Sequence, residues 1–360
     1  MRIAFFGSSL VSAYWNGAAT YYRGILRALH TRGHEAVFYE PDAYDRQRHV
    51  DHPDPPYAKS VVYEATDDAR RRCLEDADGW ADVIVKASGV GVFDRELEAE
   101  VLDLKRPGRA VVFWDVDAPA TLDRTFADEA DPFRRQAPQY DLICTYGGGP
   151  PVVEAYDRLR AKGCVPIYNA ADPDTHHPVP PDDRFACDLA LLANRLPDRE
   201  ARIGEFFLRA AHALPDQRFF IGGSGWEQGD LPSNVTAVGH VSPPDHNAFN
   251  CTPLATLNVN RESMARYGWS PATRVFEAAA AGACLITDEW QGIGDFLEPG
   301  EEVLVAGDGA AVAEHLAALT PDRARAIGAA ARQRVLRDHT YTQRAEQAER
   351  VLQEAIEATQ

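Results

Sequence analysis

The sequence lacks the features that define several familiar protein classes. Its six cysteines form no Cys-x-x-Cys pair and no Cys/His cluster with the spacing of a zinc site. No apolar run approaches the ~18 residues that cross a bilayer, so we expect no membrane span. Lysine and arginine number 37 against 55 acidic residues, and the resulting net charge of −18 disfavours a nucleic-acid partner. We therefore expect a cytoplasmic protein with reduced cysteines.

The glycine signature of dinucleotide-binding proteins is also missing. The loop after the first predicted strand reads GSSLVSAYWNG, and the pair Gly89 and Gly91 has no third glycine at the required spacing. A G-x-G-x-x-G turn lets the backbone approach a pyrophosphate, so its absence weakens the case for an NAD-dependent enzyme.

What the sequence does contain is an alternation of strand-like and helix-like segments. Residues 2–6 and 109–114 are typical of buried strands, and residues 18–31 have apolar side chains at helical spacing. The stretch 169–183, NAADPDTHHPVPPDD, has the composition of a hinge, and we expect a structural role for His176 and His177. The pattern predicts an α/β protein with two facing Rossmann-like domains and parallel sheets, 1–170 and 171–340, followed by a helical segment 341–360.

Residues 268–290, GWSPATRVFEAAAAGACLITDEW, give the most specific functional signal. Pro271 suits a helix start, Gly282 suits a helix end, and an apolar strand follows. Arg274 and Glu277 then lie one turn apart beside a helix N-terminus, which attracts anions. A cation with exposed N–H groups suits a diphosphate, and a carboxylate suits a ribose diol. The segment therefore predicts the donor half of a nucleotide-sugar site.

Other loops of the second half follow strands and are expected at the same edge of the sheet. Arg195, with Arg199 beside it, is predicted to stabilise charge on the leaving diphosphate, whereas Arg202 is expected to be an exposed helix residue. Backbone around 239–241 is predicted to meet the base. The predicted donor-binding residues are Gly223, His240, Asn260, Arg261, Tyr267, Ser270, Pro271, Thr273 and Glu277, with Arg195 and Arg274 predicted as catalytic.

In the first half, Trp114-Asp115-Val116-Asp117 ends a predicted strand. An Asp-x-Asp pair can hold a divalent cation, but this pair lies in the other half from the donor features, so we predict no metal site. Asp115 is the predicted group for activating an acceptor hydroxyl, and a simple strand-end capping role is the alternative. The predicted acceptor-binding residues are Ser8, Asn16, Gly17, Trp114 and Asp117.

Several longer stretches resemble one known family. They are FWDVDAPATL (113–122), YDLICTYGGGP (140–150), YNAADPDTHHP (168–178), the stretch 257–290 and FLEPGEEVLVA (296–306). In these the chain resembles the CgeB-like glycosyltransferases, relatives of the spore-maturation protein CgeB, which have the glycosyltransferase B fold.

The resemblance implies a hexosyltransferase-type enzyme that uses a nucleotide diphosphate sugar, with UDP-sugar favoured, and transfers the sugar to a small-molecule or glycan acceptor in the interdomain cleft. It implies no metal and no cofactor, the donor on 171–340, the acceptor on 1–170, and 341–360 packed back towards the N-terminal domain. It also implies that Glu277 holds the ribose. Glu277 matches the second glutamate of a pair found in related retaining enzymes, and this chain has Trp269 where those enzymes have the first. A nucleotide-sugar 2-epimerase and a non-catalytic nucleotide-sugar binding protein remain open alternatives.

Overall fold

The computed structural model describes residues 1–14, 16–226 and 231–360, with only the backbone at Asp198. The chain divides into two compact units. The first unit comprises Met1–Tyr168 and Tyr341–Gln360, and the second comprises Asn169–Thr340.

The first unit contains a parallel sheet of seven strands in the order β3-β2-β1-β4-β5-β6-β7. Because β1 pairs with both β2 and β4, the strand order reverses beside β1, the usual place for a ligand in such sheets. The central strands β4 and β5 are buried at every residue and mostly apolar, as expected of strands covered on both faces. The strands are β1 Arg2–Phe6, β2 Glu35–Asp42, β3 Lys59–Glu64, β4 Val83–Ala87, β5 Ala110–Asp115, β6 Leu142–Thr145 and β7 Cys164–Pro166.

Helices connect these strands and cover the sheet. Helix α2 begins after Thr66, whose hydroxyl accepts a hydrogen bond from the Ala69 N–H and so caps the helix. The helices are α1 Ala19–Thr31, α2 Asp67–Trp80, α3 Asp94–Glu100, α4 Ala118–Ala127, α5 Phe133–Gln136 and α6 Gly149–Arg158.

The second unit contains a parallel sheet of six strands in the order β10-β9-β8-β11-β12-β13. The strands are β8 Leu189–Leu192, β9 Phe219–Gly222, β10 Val235–Gly239, β11 Ala255–Asn258, β12 Leu285–Asp288 and β13 Leu304–Ala306. The helices are α7 Pro197–Ile203, α8 Arg209–Ala213, α9 His246–Cys251, α10 Glu262–Tyr267, α11 Thr273–Ala280, α12 Gly309–Ala318 and α13 Pro321–Asp338. A π-helical turn, Gly204–Leu208, joins α7 to α8.

Helix α11 is buried from Val275 to its end. Val275 and Phe276 are fully buried, and after Ala280 the chain turns at Gly282, whose φ of +81° suits glycine. Helix α13 packs against this turn so closely that a Cβ on Gly328 would lie 2.1 Å from the Gly282 carbonyl oxygen. The position of α11 is therefore fixed from behind by α13.

The last helix, α14 Tyr341–Glu357, belongs to the first unit and packs on α1. The Tyr341 ring lies where a side chain at Gly24 would be, since a Cβ there would be 2.3 Å from the ring. Arg32 Nε donates a hydrogen bond to Glu349 Oε2 at 2.5 Å. Among the described residues, no helix combines the length and the apolar character needed to span a bilayer.

The prediction of an α/β protein built on parallel sheets is confirmed. The sequence pattern did not predict β3, α2, α4, α5, α9 or α10. The predicted helix start at Pro271 lies two residues before the observed first residue, Thr273.

Candidate functional site

Helix α11 begins without a side-chain cap from its N-cap residue. Its N-cap residue is Ala272, which has an extended backbone and no side-chain acceptor. Pro271 is buried just before it. Ser270 is also buried, and its hydroxyl donates to the Gly268 carbonyl at 2.9 Å rather than to the helix. The helix start therefore keeps the N–H groups and positive polarity that bind anions.

A buried ion pair follows one turn into α11. Arg274 Nη1 lies 3.3 Å from Glu277 Oε2, and both side chains are mostly buried. Burial raises the pKa of Glu277, but Arg274, His176 and His246 lower it by more together, so the pKa lies below its usual value. The Glu277 side chain is thus a carboxylate at neutral pH.

Two histidines surround that carboxylate. His176 Nε2 lies 3.5 Å from Glu277 Oε1. His246 Nε2 lies 3.1 Å from the carbonyl oxygen of Val241, in the loop that follows β10. This contact fixes the position of the imidazole ring. Burial, and then the charge of Arg274, lower the pKa of His246 below its usual value. His246 is therefore neutral at physiological pH.

Some polar atoms of this cluster have no hydrogen-bond partner among the described residues. They are Arg274 Nε and His176 Nδ1, both buried. Buried polar atoms in folded proteins are nearly always hydrogen-bonded, to protein, water or ligand. Together with Glu277, the two side chains form a polar, charged cluster beside the start of α11.

The loop after β11 is held by a network of side-chain amides. Asn258 Nδ2 donates to Asn260 Oδ1 at 3.2 Å and to Thr287 Oγ1 at 3.0 Å. Asn260 Nδ2 in turn reaches the Ser270 carbonyl at 3.5 Å. This network places the predicted donor-binding residues Asn260 and Ser270 next to each other.

Arg202 has a structural role, and the expectation that it is an exposed helix residue is wrong. Its Nη2 donates to Asp288 Oδ2 at 2.6 Å, and its Nε donates to the Asn260 carbonyl at 2.9 Å. Asp288 is fully buried at the end of β12, and burial raises its pKa. Arg202 therefore holds the β11 loop against the end of β12.

The first loop of the second unit contains Arg195, predicted to contact the diphosphate. Arg195 Nε donates to Glu200 Oε1 at 3.0 Å, and its guanidinium lies 5.5 Å from the centre of the Trp226 ring. Gly223 has a φ of +116°, and a Cβ there would lie 2.3 Å from the Ala193 carbonyl oxygen, so this position requires glycine.

The remaining predicted donor residues lie around the same sheet edge. His240 is exposed directly after β10, and Thr273 is the first residue of α11. Arg261 precedes α10 and Tyr267 ends it, and both are half-buried.

Trp269, eight residues before Glu277, has a strained backbone. Its φ is +40°, which is rare for a bulky residue. The indole Nε1 donates to Asp295 Oδ2 at 2.5 Å, and the Trp269 N–H donates to the Gln291 carbonyl at 2.6 Å. The loop 291–295 therefore holds Trp269 in this conformation.

In the first unit, Asp115, predicted to activate an acceptor hydroxyl, does not reach the surface. It is fully buried, and it accepts hydrogen bonds from Tyr156 Oη at 2.5 Å, Ser88 Oγ at 2.7 Å, Thr121 Oγ1 at 3.1 Å and the Asp117 N–H at 3.0 Å. Burial raises the pKa of Asp115, while the hydrogen bonds from Tyr156 and Ser88 lower it. These contacts support the alternative of a structural residue at the end of β5.

The predicted acceptor residues of the first unit are largely internal. Trp114 is buried and its Nε1 donates to Tyr21 Oη at 2.9 Å, which corrects the expectation that its ring meets a substrate. Ser8 and Asn16 are buried and hydrogen-bonded to each other at 2.9 Å. Gly17 is exposed, and Asp117 is half-buried before α4.

Sequence reasoning missed His246 and undervalued His176. His246 carries no motif, and His176 lies in a proline-rich stretch typical of a hinge. The one available signal was the neighbouring pair His176-His177, which is unusual in such a stretch. Among the described residues, no group of three or more His, Cys, Asp or Glu side chains is arranged to hold a metal ion.

Residues 199–350, which include α11, match the family model described as glycosyl transferase-like. A search of curated proteins found no match.

Solved structures similar to this chain cover nearly all of it. Sucrose-phosphate synthase from Thermosynechococcus elongatus has a TM-score of 0.69 at 16% identity, over 99% of this chain and 100% of that chain. HepE from Anabaena, in complex with UDP and glucose, has a TM-score of 0.69 at 13% identity, over 98% and 100%. AviGT4, a glycosyltransferase involved in avilamycin A biosynthesis, has a TM-score of 0.64 at 16% identity, over 99% and 98%. The chain therefore has the glycosyltransferase B fold.

Proposed function

We propose that this protein is a metal-independent glycosyltransferase that transfers a sugar from a nucleotide diphosphate donor, UDP-sugar favoured, to a sugar or other small-molecule acceptor. The observation that carries the proposal is the cluster of Arg274, His176 and Glu277 beside the start of α11. There a buried cation, a buried carboxylate and an uncapped helix start lie together on a glycosyltransferase B fold. The match of residues 199–350 to a glycosyl transferase-like family supports the same conclusion.

Each polar group at the start of α11 suits one part of the donor. The N–H groups at the start of α11 and the guanidinium of Arg274 suit the diphosphate, because both carry positive charge. Glu277 suits the ribose, because a charged carboxylate accepts hydrogen bonds from two hydroxyl groups. We assign the uracil preference from the resemblance to the CgeB-like family and from HepE, which was solved with UDP and glucose.

Catalysis in this proposal is mainly electrostatic. As the bond between sugar and diphosphate stretches, negative charge grows on the leaving diphosphate. Donors fixed in advance bind that charge more strongly than they bind the ground state, and this difference accelerates the reaction. Arg195 joins them in the proposal by leaving Glu200, its partner at 3.0 Å. The acceptor base is left unassigned, because Asp115 is buried and fully hydrogen-bonded.

The test begins with ligand binding. Thermal-shift measurements with UDP, GDP, ADP and dTDP, each with its glucose conjugate, identify the base, because a ligand that binds only the folded state raises the melting temperature by mass action. We expect the largest shift with UDP or UDP-glucose. No shift with any member of the panel would contradict a nucleotide-sugar site.

The second step separates the alternatives. The donor that gives the shift is incubated with and without a pool of sugar acceptors, and free nucleoside diphosphate and sugar products are measured. A glycosyltransferase releases the nucleotide in an acceptor-dependent way. An isomerised sugar formed without acceptor would identify a 2-epimerase, and binding without turnover under both conditions would identify a non-catalytic sensor.

A further inference from the structure

We propose that His176 is a positioning residue that orients the Glu277 carboxylate towards the ribose of the donor. This inference rests on the proposed function and adds to it a residue from outside α11. His176, from the stretch 169–183 predicted to be only a hinge, would then contribute its side chain to the donor site.

The backbone around His176 is fixed by several hydrogen bonds within the second unit. The His176 N–H donates to the Asp172 carbonyl at 2.7 Å, which closes a tight turn. Asn247 Nδ2, on α9, donates to the Thr175 carbonyl at 2.9 Å. Asn169 Nδ2 reaches the Pro271 carbonyl at 3.4 Å, directly before α11. The segment is thus held to both α9 and the entry of α11, and the imidazole is not a mobile hinge side chain.

The Glu277 carboxylate has one nitrogen contact on each oxygen. His176 Nε2 is 3.5 Å from Oε1, and Arg274 Nη1 is 3.3 Å from Oε2. A carboxylate offers about four lone-pair sites, so two contacts leave acceptor capacity for the two hydroxyls of a ribose. The two flanking groups fix the plane of the carboxylate, which determines where those hydroxyls can bind.

The other nitrogen of the ring supports a ligand site rather than simple core packing. His176 is only 7% exposed, and its Nδ1 is buried with no hydrogen-bond partner among the described residues. If the side chain only filled space, a phenyl ring of similar size would serve without leaving a buried nitrogen unpaired. The imidazole is therefore explained by its Nε2, which lies against the Glu277 carboxylate.

Nitrogen-bearing side chains from three segments face the Glu277 carboxylate. Glu277 is faced by Arg274 from its own helix, by His246 from α9 and by His176 from the segment 169–178. Removing His176 therefore leaves the carboxylate charged and paired with Arg274. The expected effect is a change in the direction of the carboxylate, and hence in how well the ribose hydroxyls are recognised.

The test compares nucleotides with and without those hydroxyls. Calorimetric Kd values are measured for UDP and 2′,3′-dideoxy-UDP, with the GDP and ADP pairs in parallel, on the wild type, H176F, H176Q and H177F. H176F keeps the ring and removes both nitrogens, and H176Q restores an N–H donor. His177 is the matched control, since it is exposed and its Nδ1 only approaches the Pro178 carbonyl, at 3.2 Å.

We expect the wild type to prefer the ribonucleotide and H176F to lose about tenfold of that preference, the loss of one hydrogen-bonding contribution to a charged group. The Kd for the dideoxy nucleotide should change less than about twofold by the same reasoning. H176Q should recover part of the preference, and H177F should match the wild type. Equal weakening of both nucleotides in H176F, or an unchanged ratio, would overturn the inference while leaving the proposed function intact. Absence of binding by the wild type to every nucleotide would overturn both.

Discussion

Two buried carboxylates, Asp115 in the first unit and Glu277 in the second, differ in how closely they are hydrogen-bonded. Asp115 receives hydrogen bonds from three hydroxyl groups and one N–H. Glu277 lies 3.5 Å from His176 Nε2 and 3.3 Å from Arg274 Nη1, and Arg274 Nε has no hydrogen-bond partner among the described residues. Burial of a carboxylate therefore does not by itself indicate a ligand site. Burial without satisfied hydrogen bonds is the more specific sign.

The largest expected effect tests the second unit. R274A should reduce turnover of the nucleotide sugar by about a hundred- to a thousand-fold, because one preorganised donor to the developing charge is lost. Steady-state kinetics measure this, with R325A as the control, since Arg325 is exposed and pairs with Asp322 on the same helix, α13. Near-normal turnover by R274A would contradict the diphosphate placement.

The next effect tests the first unit. D115N should lower the free energy of unfolding by on the order of 2 kcal/mol, because one carboxylate oxygen becomes an N–H₂ donor among hydroxyl donors. Denaturant unfolding followed by circular dichroism gives this value. Should D115N keep its full stability and lose turnover alone, Asp115 would be an acceptor-activating residue after all, and the contrast between the units would fail.

A smaller effect is expected from E277Q. The amide accepts hydrogen bonds from ribose hydroxyls less strongly than the carboxylate does, so the Kd for UDP should rise about tenfold. Turnover should fall far less than in R274A, because ribose binding is the same in the ground and transition states. Calorimetry and kinetics on the same preparation separate the two. A loss of turnover as large as that of R274A would mean that Glu277 acts on the reacting bond.

The pH dependence of stability gives a smaller, signed prediction. The folded protein favours neutral His246, because burial and Arg274 hold its pKa below the ordinary value of 6.5. As the pH falls through 6.5 the unfolded chain takes up a proton that the folded chain does not, so stability is lost on the acid side. H246Q keeps an N–H₂ group and cannot titrate. The melting temperature should therefore fall less for H246Q than for the wild type between neutral and mildly acidic pH. Equal falls would show that His246 is not the cause of the acid-side loss of stability.

The smallest expected effect is no effect. Turnover should be unchanged by a chelator such as EDTA, because in the proposal the diphosphate charge is met by Arg274 and the start of α11. Release of nucleoside diphosphate is measured after dialysis against the chelator, and again with added Mg²⁺. A loss that Mg²⁺ restores would show that the donor needs a cation.

Local sequence patterns predicted the sheets well, because buried parallel strands are continuous apolar runs. Residues 109–114 were predicted as a strand and β5 is Ala110–Asp115. The edge strand β3, KSVVYE, escaped because it carries charges at both ends and lacks such a run. Helix α2, DDARRRCLEDADGW, escaped because few of its residues are apolar.

The site was predictable only where its residues share one helix. Arg274 and Glu277 are three positions apart, and helix geometry alone places such side chains side by side. The contact of Glu277 with His176, and that of Arg202 with Asp288, join segments far apart in sequence. Such contacts depend on how helices and loops pack on the sheet, which no local pattern specifies. For the same reason, the sequence identifies Asp115 as a strand-end carboxylate but does not predict the hydrogen bond that Tyr156 donates to it.

The position of the site also depends on Gly328 of α13, which packs against the turn after α11. Because a single methyl group at this position would strike the Gly282 carbonyl oxygen, α13 can approach α11 only while residue 328 has no side chain. A G328A variant would have to push α11 outward, and Arg274 and Glu277 would move with it. A residue that touches no substrate therefore sets the depth at which the donor would sit.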